Sequence, residues 1–111
     1  MARFVKGDVV VVPFPFSDLS QAKRRPAVVV ASLRGDDLIL CQITSQAVKD
    51  AYAVAIMDAD FAEGGLKQPS HIRPNRLFTA DSQIILYRAG RLAPSAMDRV
   101  TDKIIDILRG Q

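Results

Sequence analysis

Short runs of apolar, β-branched residues separated by polar stretches divide the first half of the chain into predicted strands. Asp8–Phe14 is almost continuous in valine, and Pro26–Leu33, Leu38–Thr44 and Tyr52–Met57 repeat the pattern. Runs of about four to eight such residues between turn residues are typical of strands. Residues 34–37 include a glycine that suits a tight turn, so the second and third strands are predicted to form a hairpin.

The segments that join these strands are predicted from their prolines and polar residues. Pro13 and Pro15 have no N–H to donate to a ladder, so the first strand should end, or lie at an edge, near them. The polar stretch Ser17–Arg25 is predicted to be a loop. Further along, the pattern predicts a short strand at Ser70–Ile72, an irregular segment at Arg76–Asp81, and a strand or one helical turn at Ile84–Tyr87.

The last part of the chain predicts an amphipathic helix. Pro94 suits its first turn, Ser95 and Asp98 resemble a capping box, and Gly110 suits its end. Helical spacing places five apolar residues on one face: Met97, Val100, Ile104, Ile107 and Leu108. The predicted fold is therefore mainly β with some α, a small, strongly bent antiparallel sheet or barrel closed by a C-terminal helix.

Composition narrows the class of protein. The 111 residues are 49% hydrophobic and 24% charged, which fits a single globular domain spanning residues 1–111. One cysteine gives no intrachain disulfide framework, and no apolar run approaches the roughly 20 residues that a membrane helix needs. The N-terminus carries charge where a signal peptide has its apolar stretch, so a cytoplasmic protein that does not enter the membrane is expected.

Positive charge is concentrated in two places. The net charge is +3, with one basic cluster at 23–25 and a second basic stretch between Glu63 and Asp98, where five cations are accompanied by one acid, Asp81. If the fold gathers these cations, a nucleic acid is a plausible partner. Taken alone, the charge favours a solvated basic surface.

Several kinds of chemistry have no motif in the sequence. There is one histidine, His71, and one cysteine, Cys41, so no zinc-ligand spacing exists. No phosphate-binding glycine loop and no serine in a nucleophile-elbow motif is present. An enzyme with this sequence is expected to need no metal or other cofactor, and to use arginine, threonine, serine or His71.

An ordered set of motifs covers nearly the whole chain. It consists of Gly7–Leu19, then Lys23–Val30 with its Arg-Pro pair, then Cys41–Ser45 ending in Thr-Ser, then Pro69-Ser70 and Gly90-Arg91-Leu92 before the helix. This set resembles the MazF/PemK family of toxins from type II toxin–antitoxin systems. The resemblance implies a compact SH3-like barrel, a homodimer and a cognate antitoxin as partner. It also implies an endoribonuclease that cuts single-stranded RNA without a metal.

The resemblance also assigns candidate site residues. Arg25 and Thr44 match the family's active-site positions, and a guanidinium fork with a hydroxyl suits the negative charge that builds on phosphate during attack by a 2′-hydroxyl. Without the family pattern, Arg25 would be a solvated loop residue and Thr44 an ordinary strand residue. His71 is a possible acid or base. The candidate RNA-binding residues are Phe16, Lys23, Arg24, Ser45, Arg73 and Arg76.

Two other functions remain open from the sequence. A toxin of the same fold can bind a partner such as DNA gyrase without cutting RNA, and fold alone does not separate these activities. A degenerate, non-catalytic RNA-binding domain is the second alternative. Asn75 keeps this alternative open, because some family members carry an acid at the matching position, two residues after an arginine, and an amide cannot accept a proton as a carboxylate does.

Overall fold

The computed structural model describes residues 3–14, 23–49 and 51–111. In that part of the chain, seven strands are followed by one α-helix, α1 (Pro94–Arg109). The strands are β1 (Asp8–Phe14), β2 (Lys23–Ser32), β3 (Asp37–Thr44), β4 (Val54–Ile56), β5 (Phe61–Gly64), β6 (Ser70–Asp81) and β7 (Tyr87–Leu92). None of the helices in the described residues is long and apolar enough to cross a bilayer.

All seven strands join one antiparallel sheet in the order β4-β6-β3-β2-β1-β7-β5. The chain forms β1, β2 and β3 as successive neighbours, and β7 then returns to the free side of β1. The sheet curls into a half-barrel, with α1 packed against β6 and β4. This confirms the predicted mainly β fold with a closing helix.

Both faces of the sheet are covered at β1, which explains the unbroken valine run. Successive side chains of a strand point to opposite faces, so a strand covered on both sides is apolar at every position. Val9 packs with the helix residues Met97 and Val100 on one face, while Val10 and Val12 join a second cluster on the other. The second cluster also contains Ala27, Val29, Leu38 and Leu40, with Phe4, Phe78 and Ile84 packed against it.

The strand predictions were accurate where burial sets the pattern. β1 has the predicted bounds, β3 begins one residue early, and the β2–β3 hairpin is confirmed. Pro13 lies beyond Val11, the last residue of β1 paired with β7, so its missing N–H breaks no pair on that side.

Other strand predictions were wrong. Lys23–Arg25 belongs to β2, where it pairs with Val12–Phe14, and only its exposed polar side chains made it resemble a loop. β6 runs through the segment 76–81 that was predicted to be irregular, and β5 was not predicted at all. β4 is shorter than its predicted run. For Ile84–Tyr87, predicted to be a strand or one helical turn, the structure has a short 3-10 turn that ends at Ile84 and a strand that begins at Tyr87.

The helix begins and ends close to its predicted bounds, but its cap differs. Pro94 is in the first turn, and Gly110 ends the helix in the left-handed region with φ 76°. The predicted capping box is wrong, because Ala93 is the N-cap and Ser95 already lies within the first turn. Burial of the apolar face decreases along the helix: Val100 is fully buried, Ile104 is partly buried against the core, and Leu108 is 75% exposed.

A buried carboxylate joins β1 to β7. Asp8 is 1% exposed and accepts hydrogen bonds from the Val5 N–H (2.9 Å) and Arg91 Nε (3.0 Å). The hydrogen bond and the charge of Asp8 raise the pKa of Arg91 above its ordinary value. The Gly-Asp pair that opens the chain's first motif is therefore a structural feature.

Gly90 allows β5 and β7 to approach closely. A Cβ atom on Gly90 would lie 2.5 Å from the carbonyl oxygen of Glu63 and 2.9 Å from the nitrogen of Gly65. Both neighbours are backbone atoms that cannot move aside as a flexible side chain does. We expect Gly90→Ala to lower the free energy of unfolding by about 2–3 kcal/mol. Chemical denaturation measures this change.

Gly35→Ala is the matched control for that prediction. Gly35 has φ 76°, but no atom lies within 4 Å of its added Cβ. Only the left-handed backbone then opposes the alanine, at about 1–2 kcal/mol. Equal destabilisation by the two variants would show that close packing is not the reason for glycine at position 90.

Candidate functional site

A cavity of about 400 Å³ opens on one face of the sheet, where β1, β2 and β3 meet. The register pairs Phe14 with Lys23, Val12 with Arg25, and Ala27 with Gln42. Directly paired residues share a face of the sheet, so these side chains form adjacent rows on one surface. The lining residues are Val12, Phe14, Lys23, Arg25, Pro26, Ala27, Gln42, Ile43, Thr44, Gln46, Arg73 and Phe78.

Four of the predicted site residues meet at this cavity: Lys23, Arg25, Thr44 and Arg73. Arg24 does not line it, because it lies between Lys23 and Arg25 on the strand and so points to the opposite face. Ser45 and Arg76 are exposed and lie outside the cavity lining. Phe16 lies outside the described residues.

The Thr44 hydroxyl is oriented by a local hydrogen bond. Its Oγ1 accepts from the backbone N–H of Gln46 at 3.1 Å. A hydroxyl has one donor and two acceptor sites, so this bond occupies an acceptor site and leaves the O–H proton available. Because Thr44 is half-buried at the end of β3 and lines the cavity, the hydroxyl can donate a hydrogen bond to an anion bound there.

Arg73 reaches the cavity from a break in the β3–β6 ladder. Cys41 pairs with Leu77 and Ile43 pairs with Ile72, so residues 73–76 lie opposite Gln42 alone. Bulges of this kind redirect side chains. Here the bulge places Arg73 against the ends of β2 and β3, where it lines the cavity beside Thr44.

Cys41 lies beneath this bulge as a small core residue. It is fully buried, and its Sγ donates a hydrogen bond to the carbonyl oxygen of Arg73 at 2.9 Å. Burial raises the pKa of the thiol to about 12. Cys41 therefore remains protonated near neutral pH and is a poor nucleophile.

A second cavity, of about 290 Å³, continues from the first. The two share Thr44, Gln46 and Arg73, and the second also contains Ala47, Val48 and Lys49. Sequence reasoning missed Gln42, Gln46 and Lys49. Gln42 precedes Thr44 by two strand positions and could have been found from alternation, whereas no sequence signal marks the other two.

The two cavities together form a groove with one sign of charge. Lys23, Arg25, Arg73 and Lys49 line it, and no aspartate or glutamate does so in the described part of the chain. Clefts lined by one sign of charge concentrate ligands of the opposite sign. The arrangement suits an extended anion, with a hydroxyl donor at its centre and glutamine amides beside it.

Other cations from the basic stretch 63–98 are placed elsewhere. Arg88 lies 3.1 Å from the Glu63 carboxylate and 3.7 Å from that of Asp8, and Arg91 contacts Asp8. Both arginines lie on β7 and connect it to its neighbours β1 and β5, whereas the groove lies on the β2 and β3 side of β1. The fold therefore divides the basic stretch and leaves Arg73 as its contribution to the groove.

His71 lies beside the groove without lining it. It is half-buried and is the cross-strand partner of Thr44 on one side and Ala55 on the other. Its Nδ1 is buried and has no hydrogen-bond partner among the residues that the structure describes. Within those same residues, no three histidine, cysteine, aspartate or glutamate side chains form a group that could hold a metal ion.

A larger cavity, of about 510 Å³, lies around the β2–β3 turn and the segment before β1. Its cations Arg3 and Arg34 are accompanied by the carboxylate of Asp36, and none of the predicted site residues lines it. Both its mixed charge and its position separate it from the groove.

Comparison with known proteins agrees with this description. The family model described as "PemK-like, MazF-like toxin of type II toxin-antitoxin system" matches residues 5–108. No curated protein matches the sequence.

Solved structures share the fold over nearly the full length. A mycobacterial endoribonuclease in complex with its cognate antitoxin is 13% identical, with a TM-score of 0.77, covering 96% of each chain. MazF from Deinococcus radiodurans is 18% identical, with a TM-score of 0.76, covering 100% of each chain. A MazE–MazF structure from the same organism is 16% identical, with a TM-score of 0.72, covering 97% of each chain.

At such low identities the structural likeness shows the fold, and the family match adds the membership. The curled sheet with its closing helix, the motifs that build the groove and the match over residues 5–108 agree with one another. The chain belongs to the PemK-like, MazF-like toxins of type II toxin–antitoxin systems.

Proposed function

We propose that this toxin is a metal-independent endoribonuclease that cuts single-stranded RNA in the groove. The observation that supports the proposal best is the meeting of Arg25, Arg73 and Thr44 around one cavity free of acidic side chains in its described lining. Family membership supports it as well, and one of the similar structures is described as an endoribonuclease.

The proposed reaction is a transfer within the RNA itself. The 2′-oxygen forms a bond to the adjacent phosphorus as it loses its proton, and the bond from phosphorus to the 5′-oxygen breaks. The departing 5′-oxygen takes up a proton, so the products are a 2′,3′-cyclic phosphate and a 5′-hydroxyl. Negative charge builds on the phosphoryl oxygens in the transition state, and fixed donors aimed at them lower the barrier.

Arg25 is the proposed charge stabiliser. Its guanidinium presents donors in a planar fork that matches two phosphate oxygens at once. A guanidinium stays protonated in proteins, so Arg25 cannot serve as the base. Thr44, across the same cavity, donates a hydrogen bond to a phosphate oxygen. Its own oxygen accepts from the backbone N–H of Gln46, which leaves the O–H available as a donor.

The second cavity extends the path of the RNA. We assign Lys23, Arg73 and Lys49 to phosphates that flank the scissile one, with Arg73 placed where the two cavities join. Such contacts position the strand and make binding depend on salt, since each one releases counterions. Arg24, Ser45 and Arg76 lie outside both cavities, so their RNA contacts stay a prediction, as does proton transfer by His71.

The proposed protein partners follow from the family and the charge of the groove. We propose that an acidic segment of a cognate antitoxin covers the groove. Two of the similar structures contain an antitoxin, and an acidic peptide complements a surface lined by four cations. We also propose a homodimer, on the basis of family membership alone.

A cleavage assay in chelator tests the proposal. Purified protein should cut a labelled single-stranded RNA in excess EDTA, because the groove supplies its charge through arginine and lysine. Cleavage only after Mg²⁺ is added would contradict a metal-independent reaction. Binding of RNA without cleavage under both conditions would favour the degenerate RNA-binding domain, and absence of both would favour a toxin with a different target.

A further inference from the structure

We propose that Cys41 is a positioning residue, whose buried thiol holds the backbone of Arg73 so that the guanidinium can bind an RNA phosphate where the two cavities join. This inference rests on the proposed function of the groove. It adds a role for a core residue that does not touch the RNA.

A side chain bridges the break in the β3–β6 ladder. Residues 73–76 lie opposite a single residue of β3, so regular pairing stops at that point. Across this break, the Cys41 thiol donates a hydrogen bond to the carbonyl oxygen of Arg73 at 2.9 Å. The thiol thus stabilises the bulge that redirects Arg73.

Pro74 restrains the same backbone from the other side. It is fully buried, and a proline disfavours helical conformations of the residue before it. Arg73 is therefore held extended by the proline and tethered through its carbonyl by the thiol. Two independent restraints on one arginine indicate that its placement matters more than that of a solvated surface residue.

The properties of the thiol suit a permanent donor. Cys41 is fully buried and lies between Val28 on β2 and Leu77 on β6. Its raised pKa keeps the proton on sulfur across the physiological range. Serine can replace this donor, whereas alanine and valine cannot.

The effect of losing the donor should appear in RNA binding. Arg73 lines both cavities, so a displaced guanidinium loses a phosphate contact on the strand and leaves the reacting atoms untouched. An interaction equally strong in the ground state and the transition state changes KM with kcat nearly constant. For single-stranded RNA, each lost phosphate contact also lowers the slope of log Kd against log salt concentration by about 0.7.

The experiment compares Cys41→Ala with Cys41→Ser. Binding of a non-cleavable RNA with 2′-O-methyl sugars is measured by fluorescence anisotropy over a range of salt, and KM and kcat are measured with the cleavable RNA. We expect Cys41→Ala to raise KM roughly three- to tenfold, the effect of one lost hydrogen bond. For this variant, the slope of log Kd against log salt concentration should fall by about 0.7, the contribution of one phosphate contact to single-stranded RNA. Cys41→Ser should restore most of both properties.

Val28→Ala is the matched control for a purely structural effect. Val28 is the buried cross-strand neighbour of Cys41 in the same core cluster, but it does not line the groove. It should lower the melting temperature without changing KM or the salt dependence. A Val28→Ala variant that changes KM as Cys41→Ala does would overturn the inference. If alanine at position 41 prevents folding, Cys41→Val removes the same donor while filling more of the space.

Arg73→Ala separates failure of this inference from failure of the proposed function. We expect Arg73→Ala to weaken RNA binding. Adding Cys41→Ala to that variant should not change Kd further, because both residues affect binding through the same phosphate contact. If Arg73→Ala weakens binding but Cys41→Ala does not, the positioning role is wrong and the groove stands. If Arg73→Ala has no effect on binding, its assignment within the groove is wrong, and the inference fails with it.

Discussion

Replacing Arg25 with alanine should lower the rate of RNA cleavage by about 10²–10³, the loss typical of removing one preorganised donor from a developing oxyanion. The side chain is exposed at the cavity, so its removal leaves no unpaired group in the core. The backbone of β2 keeps its pairs with β1. The melting temperature should therefore remain close to that of the unaltered protein, and single-turnover cleavage kinetics measure the change in rate.

Arg34→Ala is the charge-matched control for Arg25. Arg34 is also exposed, but it lies in the turn after β2 and lines neither cavity of the groove. Its replacement removes the same charge and should leave cleavage near its original rate. Similar losses from the two variants would mean that net charge alone drives the reaction, and an unchanged rate for Arg25→Ala would place the site elsewhere.

Replacing Thr44 with valine should have the second largest effect. Valine keeps the branched shape at the end of β3 but removes the hydroxyl that accepts from Gln46 and faces the cavity. We expect a loss in cleavage rate of about 10², near the lower end of the range for a single donor. Single-turnover rates at saturating protein separate this loss from weaker RNA binding.

Thr44→Ser tests whether the hydroxyl or the methyl group matters. Serine keeps both the acceptor for Gln46 and the donor, so it should retain most of the activity. If serine is as slow as valine, the role of Thr44 is to pack against the groove, and the assignment of its hydroxyl to phosphate fails.

The sequence predicted the fold best where two faces of the sheet are buried. The valine run of β1 and the turn before β3 are set by local pattern and were predicted with nearly correct bounds. β6 was mostly missed, because its second half is exposed and its ladder is interrupted after Ile72. Its strand character comes from pairing with β3, which no local pattern reveals.

The candidate site was predicted in part, for a similar reason. Arg25 and Thr44 carry the family motifs, and the structure brings them to one cavity. Lys49 was missed and Arg24 was included, because adjacency along the chain does not say which face a side chain takes. The direction of a side chain is set by strand register, and Lys23–Arg25 had been predicted to be a loop.

The hydrogen bond between Cys41 and Arg73 could not be predicted from the sequence. Cys41 and Arg73 are separated by 32 positions and meet through a register shift in the β3–β6 ladder. In the sequence, Cys41 is one apolar residue among several in a strand. Its hydrogen bond to the Arg73 carbonyl becomes visible only in the folded sheet.

The most direct test of the central claim is to remove the attacking hydroxyl from the substrate. After the cut site in an RNA has been mapped, the same RNA is made with one 2′-deoxynucleotide immediately before the cut phosphate. Mass spectrometry then follows its products in excess EDTA. The account predicts a 2′,3′-cyclic phosphate from the all-ribose RNA and no cleavage at the substituted position. Cleavage of the 2′-deoxy substrate at that phosphate would show attack by water and contradict the mechanism.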